Sequence, residues 1–473
     1  MSGSAPSARP TPTRVAGTRR KKTAVAIHQE IAREISGLLV RVFAARREAG
    51  GDDLEAVEMA FRAALHQAGA AALTQLLRYD PPDAGRRELP CRCGDTARYR
   101  ELRARRVLTA VGEVELSRPY YLCSHCGHGT FPADADLDIQ DTALSPGVRR
   151  MLAVVGSHAP FDHGRQQIQW LAGLDVTTKA VERTAEAIGE DIVRAAREQM
   201  SQAMPLDLPA IAGAPVPILY VQMDGTGVPV VNAETEGRAG KIAGRPAHTR
   251  EAKLGCVFTQ TAWDTQGWPI RDADSTTYAG AIETAEEFGH RIYRHAWDRG
   301  WPRAVKKVVM GDGAEWIWNI ADLHFPGAIQ IVDLFHARQH LWDVARLLHP
   351  GEDARQTQWT RRHQPKLDGG HIEQLVRFLR SIKASTAELA AKIGTTADYF
   401  ETNANRMRYP DFRRQHLFVG SGVIEAGCKT VVGSRLKQSG MFWTVRGANA
   451  ILALRCCQLN NCFETYWENR RCA

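Results

Sequence analysis

The stretch Pro217-Ile-Leu-Tyr-Val-Gln-Met-Asp224-Gly-Thr-Gly-Val-Pro229 reads as a strand. β-Branched and aromatic residues run unbroken into an acid, and two glycines then signal a turn. On this reading the strand stops at Asp224 and leaves the carboxylate at its exposed end. Lys306-Lys-Val-Val-Met-Gly-Asp312-Gly-Ala-Glu-Trp316 repeats the design as a short apolar run closed by an acid, the pattern of a fully buried central strand. Ahead of it, Ile282, Ala285, Phe288, Ile292 and Ala296 recur at steps of three and four, so strand, helix and strand follow in order and the fold class is α/β. A third acid lies in Gly420-Ser-Gly-Val-Ile-Glu425-Ala-Gly-Cys-Lys-Thr430, where a turn opens a helix. Packed against the sheet, that helix can return Glu425 to the other two acids.

Two strand-borne carboxylates and one helix-borne carboxylate suit a centre that holds two divalent cations about 3.5–4 Å apart and cuts a phosphodiester, because hard cations such as Mg²⁺ prefer carboxylate oxygens. Any one of the three taken alone is an ordinary turn residue. A further stretch, Ala328-Ile-Gln-Ile-Val-Asp333-Leu-Phe-His336-Ala-Arg-Gln-His340-Leu-Trp342, predicts a strand running into a helix with Asp333 and His336 in its first turn. Such an Asp is also a common helix cap, and such a His a common surface residue.

The segments MDGTGVPV, TREAKLGCVFTQ, DSTTYAGAIETAEEFG, VVMGDGAEWIWN, IVDLFHARQHLW and GSGVIEAGCKTVVGSRLKQSGMFW resemble bacterial insertion-sequence transposases of the Kra type, within the Mutator-like superfamily of DDE transposases. The likeness runs from the cysteine region to about Leu459. It implies a ribonuclease-H-like catalytic core with Asp224, Asp312 and Glu425 as metal-binding triad, holding two Mg²⁺ or Mn²⁺ ions. It also implies that Asp333 and His336 match the superfamily's Cys-or-Asp, two residues, His signature. The long interval between Asp312 and Glu425 corresponds to an all-helical insertion, here over 346–418, splitting a core of 215–345 and 419–473. Within the insertion, Arg361, Arg362, Lys366, Arg377, Arg380, Arg413 and Arg414 can hold DNA backbone or serve as solvated faces.

Ten cysteines are present. Cys91-Arg-Cys93 and Cys123-Ser-His-Cys126 form two knuckle-like pairs, each followed by glycine, as four thiolates closing a structural zinc ribbon over 86–135 would be. The first pair has one spacer residue where two is usual, and His125 and His128 are possible substitutes. Over 140–205, a helix ending at Gly173 and a second beginning after Thr177 read as a helix-turn-helix or a plain helical hairpin. In the former case Thr177, Thr178, Lys179, Glu182 and Arg183 face DNA. Beyond Glu425, Arg435, Lys437, Trp443 and Arg446 offer charge and an aromatic plate for a splayed base, while Phe442 and Trp443 also suit a core.

The 473 residues carry 61 Lys plus Arg against 53 Asp plus Glu, a net +8 that suits a polyanionic partner, and the length predicts more than one domain. Residues 1–25 read as a disordered basic tail, followed by a helical region over 26–85. No apolar run reaches membrane-spanning length, so the expectation is a cytoplasmic, nucleoid-associated protein acting on DNA as a homodimer or larger assembly. The readings are a transposase of its own element, an inactive or domesticated descendant that only binds DNA, or a ribonuclease-H-like nuclease that cuts without joining.

Overall fold

The computed structural model describes residues 53–203, 212–240 and 246–470, with scattered positions between 29 and 44. The expected basic tail and most of the helical region before residue 53 lie outside the described residues. The chain divides into two compact units, the first formed by 1–156, 161–184 and 469–473, the second by 157–160 and 185–468.

The first unit opens with helix α1 (Leu54–Leu76), capped by the Asp53 carboxylate on Ala56 N–H. A sheet follows in the order β1 (Glu88–Pro90), β2 (Thr96–Thr109), β3 (Gly112–Cys123) and β4 (Gly129–Thr130). Its backbone is the long β2–β3 hairpin, antiparallel throughout and bulged at Arg100, where the register steps from Tyr99 against Tyr121 to Glu101 against Tyr120. Val107, Val114, Leu116 and Ile139 pack with Ala70, Leu73 and Leu77 of α1 and its end. A buried ion cluster closes the hairpin's other side. Arg118 and Arg105 both donate to Asp134 of α2 (Pro132–Asp136), at 2.6 and 2.7 Å. Helices α3 (Pro146–His158), α4 (Phe161–Ala172) and the start of α5 (Thr178–Ala203) share a core of Val148, Leu152, Ile168, Leu174, Val176 and Val181.

The second unit is an α/β sandwich. Its sheet runs β11 (Ile329–Val332), β10 (Ala304–Gly311), β5 (Val216–Pro229), β6 (Thr249–Gln260) and β9 (Thr277–Ala281). β5, β10 and β11 are mutually parallel, and β6 is antiparallel to both neighbours. Numbered along the chain, the strands lie in the order 3-2-1-4-5. β5 does not stop at Asp224 as the glycines suggest: it continues to Pro229, because Gly225 and Gly227 keep pairing with Lys253 and Glu251 in an extended hairpin arm. A small hairpin, β7 (Ala262–Trp263) with β8 (Pro269–Ile270), interrupts the step from β6 to β9.

One face of this sheet is covered by α6 (Ala285–Asp298) and α7 (Glu315–His324). Phe288, Ile292 and Ala296 are fully buried, as their spacing predicts, and a Cβ on Gly255 would come within 2.4 Å of Ile292. After β11 come α8 (Leu334–Leu348) and the helices of the insertion, α9 (Asp353–Asp368), α10 (Ile372–Ser381), α11 (Ala387–Thr402) and α12 (Tyr409–Arg414). The chain returns through α13 (Gly422–Gly427), a π-helical turn over Cys428–Gly433, α14 (Ser434–Leu436), α15 (Val445–Leu459) and α16 (Phe463–Asn469). α15 seals the sheet's outer edge. The side chains of Asn449 in α15 and Asn460 just past its end each accept from the N–H and donate to the C=O of one residue of the β9 segment, Ile282 and Tyr278 respectively, with distances of 2.7–3.1 Å. Two amide side chains thus stand in for a neighbouring strand and leave the edge unavailable for pairing.

Candidate functional site

Strand register brings the acids together. Gln222 of β5 pairs with Met310 of β10, so two residues further on Asp224 stands level with Asp312. Gly311 pairs with Val332, so Asp312 is also level with Asp333, whose N–H continues the ladder to Gly311 O at 2.8 Å. Adjacent strands lie about 4.8 Å apart. Three acids on neighbouring parallel strands therefore line one sheet edge in the order Asp333, Asp312, Asp224. Asp312 sits just past its strand with Oδ1 accepting from Ala314 N–H at 2.9 Å, a turn that Gly313 permits by its positive φ.

The helix carrying Glu425 is tied over this edge from both sides. One turn before Glu425, Ser421 donates its backbone N–H to Asp333 and its hydroxyl to Glu425 Oε1 at 3.4 Å. One turn after, the Cys428 thiol donates to Asp224 Oδ2 at 3.3 Å. Residues three or four apart on a helix share a face, so Glu425 is held on the side that meets both aspartates. Gln222, fully buried in β5, accepts from Ile424 N–H at 3.1 Å and donates to Gly420 O, fixing where the helix begins. Beyond Cys428 the helix widens into the π turn, an element frequent at functional sites. The buried Arg455 of α15 gathers its carbonyls by donating to Thr430 O and to Val431 O, the latter at 2.7 Å.

The electrostatics are unbalanced. Among the described residues, none of Asp224, Asp312, Asp333 and Glu425 has an ion-pair partner, in a chain of net charge +8. Burial pushes the Asp224 carboxyl above the ordinary aspartate range and the Asp312 charge adds to this, while the Cys428 thiol and Gly225 N–H pull the other way. An uncompensated row of carboxylates calls for a cation, and its oxygen donors suit a hard one. These ligand atoms do not form a tight cage: among the described residues, the grouping with donor atoms all within 4.8 Å of one another is the four cysteines. Positions on three adjacent strands are spread over two strand spacings.

Asp333 is fully buried and its oxygens are committed, one to His336 N–H as the cap of α8, the other to Ser421 N–H. It clamps the start of α8 to the loop before Glu425. His336 is exposed, its ring 5.2 Å from His340, which in turn lies 4.1 Å from Tyr399 of α11. The Tyr399 hydroxyl donates to Asp312 O at 2.8 Å, so the helical insertion reaches the acidic edge. Neither Tyr399 nor Cys428 carried a sequence signal. One is an aromatic on an amphipathic helix, the other a small residue in an apolar run.

The four-cysteine group lies in the first unit. Cys91 and Cys126 Sγ are 3.5 Å apart, Cys93 and Cys123 Sγ 3.7 Å. The single spacer is accommodated because Gly94, in left-handed conformation, closes a turn by donating to Cys91 O, and Gly127 does the same to Cys123 O. His128 N–H and the thiols of Cys91 and Cys93 draw the Cys126 thiol down to about 7. His125 is exposed and lies outside the group. The set fits a closed tetrahedral metal such as Zn²⁺.

Of the other candidate contacts, Thr177, Lys179 and Arg183 are exposed near the start of α5, with Lys179 paired to Glu182 at 2.7 Å. Thr177 caps the helix on Ala180 N–H, and Thr178 is half-buried and donates to Asp162. Beyond Glu425 the structure corrects the expected plate. Arg435 is fully buried and Trp443 nearly so, the guanidinium 4.8 Å from the indole centroid, because both pack under the turn that returns to β5. Lys437 remains exposed, donating to Thr226, and the exposed aromatic is Phe442. In the insertion, Arg380 is spent on Asp398 and Glu401, and Arg414 on Asp411.

No helix among the described residues is long and apolar enough to cross a membrane. No protein-family model and no curated protein matches the chain. Among solved structures, the chain is similar to the Drosophila P element transposase strand transfer complex, with a TM-score of 0.23 and 10% sequence identity over 68% of this chain and 80% of that chain.

Proposed function

We propose that this chain is a DNA transposase of the DDE type, resembling the Kra-type insertion-sequence enzymes, with a ribonuclease-H-like core and Asp224, Asp312 and Glu425 as its metal-binding triad. The observation that carries the reading is the pairing register, which sets Asp224 within β5 level with Asp312 just past the end of the parallel strand β10, beneath the helix of Glu425 and with no ion-pair partner among the described residues. The 3-2-1-4-5 strand order and the helical segment between β11 and α13 support the core assignment.

On this reading the carboxylates of Asp224, Asp312 and Glu425 would hold two Mg²⁺ or Mn²⁺ ions. When bound, such ions screen the charge that builds on a phosphate and activate the attacking oxygen. Asp333 keeps the N-terminus of α8 and the loop before Glu425 in fixed relation, so the triad meets its ligand preorganised. Cys428 orients the Asp224 carboxylate, and Tyr399 holds the main chain of Asp312. Exposed Thr177, Lys179 and Arg183 would contact the transposon end as part of a helix-turn-helix, and the cysteine group would hold one structural Zn²⁺. The working form would be a dimer or larger complex on DNA, because two ends must be processed together.

The test is an assay with the gene's own flanking DNA, with and without Mg²⁺. Wild-type protein is expected to nick at the repeat ends and to give strand-transfer products, while Asp224→Asn, Asp312→Asn and Glu425→Gln each lose both and still bind the ends. Strand transfer retained by any of the three overturns the triad. Nicking without joining points to a plain nuclease, and binding without nicking to a DNA-binding descendant.

A further inference from the structure

The helix that seals the outer sheet edge, α15, ends in a defined cap. Asn461 takes a left-handed conformation, φ 57°, and its N–H donates to Gln458 O at 3.0 Å, while the Cys462 N–H reaches back to Cys457 O at 2.9 Å. These two bonds make a Schellman motif, in which the side chains of the residues joined by the longer closure commonly touch. That contact is ordinarily apolar, and here both positions hold thiols. The Cys462 N–H bond keeps the two Cα atoms within about 6.8 Å of each other, the reach of a disulfide. Burial pushes the Cys457 thiol up to about 12, and the neighbouring Cys462 and Cys456 thiols add to the rise.

A cavity of about 240 Å³ opens beside this cap, walled by α5, β9, α6 and α15, and Cys456, Cys457 and Cys462 all border it. Cys462 is exposed, whereas Cys457 is only 9% exposed. A space of this size admits a small molecule and excludes a protein, so the reagent that reaches both thiols is a small one. We propose that Cys457 and Cys462 are a redox-active pair, converted to an intramolecular disulfide by a low-molecular-weight disulfide of the glutathione type. The exposed Cys462, as thiolate, attacks one sulfur of the reagent, forming a mixed disulfide and releasing the first small thiol. The Cys457 sulfur then attacks the Cys462 sulfur and the second small thiol leaves. The two protons lost by the protein thiols end on the two released thiols, and two electrons pass from protein to reagent. The new bond closes the turn around Asn460, whose side chain holds the N–H and C=O of Tyr278. Oxidation therefore fastens the sheet edge, and reduction leaves it to the cap alone.

The experiment treats full-length protein with glutathione disulfide, blocks the remaining thiols by alkylation, and digests with trypsin, which releases residues 456–470 as one peptide bearing three cysteines. Wild type is expected to give this peptide with one blocked thiol, placed at Cys456 by fragment ions, and two hydrogens missing. Reduction before blocking should restore three blocked thiols. Cys456→Ser should keep the bond, Cys457→Ser should stop at the mixed disulfide on Cys462, and Cys462→Ser should take up no reagent in this peptide. In the same samples, hydrogen exchange at the Tyr278 N–H should slow when wild type is oxidised and should not respond in Cys457→Ser. A treated wild-type peptide with all three thiols still blocked, or a bond from Cys462 to any other cysteine, overturns the pair. Exchange at Tyr278 that is unchanged by the bond overturns its fastening of the edge.

Discussion

At Asp224, two opposed effects meet in one carboxyl group. Burial and the neighbouring Asp312 raise its pKa, while Cys428 and Gly225 N–H partly restore the charged form. A carboxyl with a raised folded pKa contributes stability that is present below the ordinary aspartate value and lost as pH climbs through the folded value. Asp224 alone is therefore expected to contribute a loss of stability as pH rises above the ordinary aspartate range, read as the difference between the wild-type and Asp224→Asn profiles, while the desolvated His295, His324 and His363 contribute in the opposite sense. Asp224→Asn should remove the aspartate's contribution and raise the neutral-pH Tm, and Mg²⁺ should raise the Tm of wild type only. Thermal unfolding across pH checks this, and parallel profiles for the two proteins would refute it. The acids could be picked out in the sequence because each closes a run or opens a turn. Cys428 could not, because nothing local distinguishes a thiol facing a carboxylate from one packed in a core. Arg435 and Trp443 misled for the converse reason: a cation beside an aromatic looks alike whether it faces a ligand or the interior.

Among the elements, the β2–β3 hairpin ends at the four-cysteine group, which fits a structural Zn²⁺. Structural zinc sites contribute about 10–16 kcal/mol in small domains. Chelation, or Cys123→Ser, is expected to release one Zn²⁺ per chain and expose 88–130 to protease, as atomic absorption and limited proteolysis would read; an unchanged digestion pattern argues against a structural metal. At the other sheet, Asn449→Ala removes the side-chain partner of both the Ile282 N–H and the Ile282 C=O and should cost about 1–3 kcal/mol in denaturant unfolding. Helical spacing announced α6, and apolar runs announced β10 and β11. The length of β5 was not announced, because whether glycines turn or stay extended depends on Lys253 and Glu251 across the hairpin. The sealing role of α15 was equally hidden, since Asn449 and Asn460 become edge partners only once β9 lies beside them.

For the whole molecule, the function proposed above would divide DNA holding and chemistry between the two compact units. If Lys179 and Arg183 contact phosphates, the double variant Lys179→Ala, Arg183→Ala should reduce the slope of log affinity against log salt by about 2. Fluorescence anisotropy over a salt series measures this, and an unaltered slope removes both residues from the interface. Taken alone, the sequence determined the α/β class, the main strands and helices of the second unit, and the candidate acids and thiols. Those follow from side-chain periodicity and turn chemistry, which act over a few residues. Only the tertiary structure decided that β5 and β10 pair in the register that levels Asp224 with Asp312, that Asp333 and Cys428 tether the helix of Glu425, and that Phe442 stays in water while Trp443 does not. Register and tethering are set by hydrogen bonds between residues far apart in the chain, and burial by what packs above each side chain, none of which a local pattern encodes.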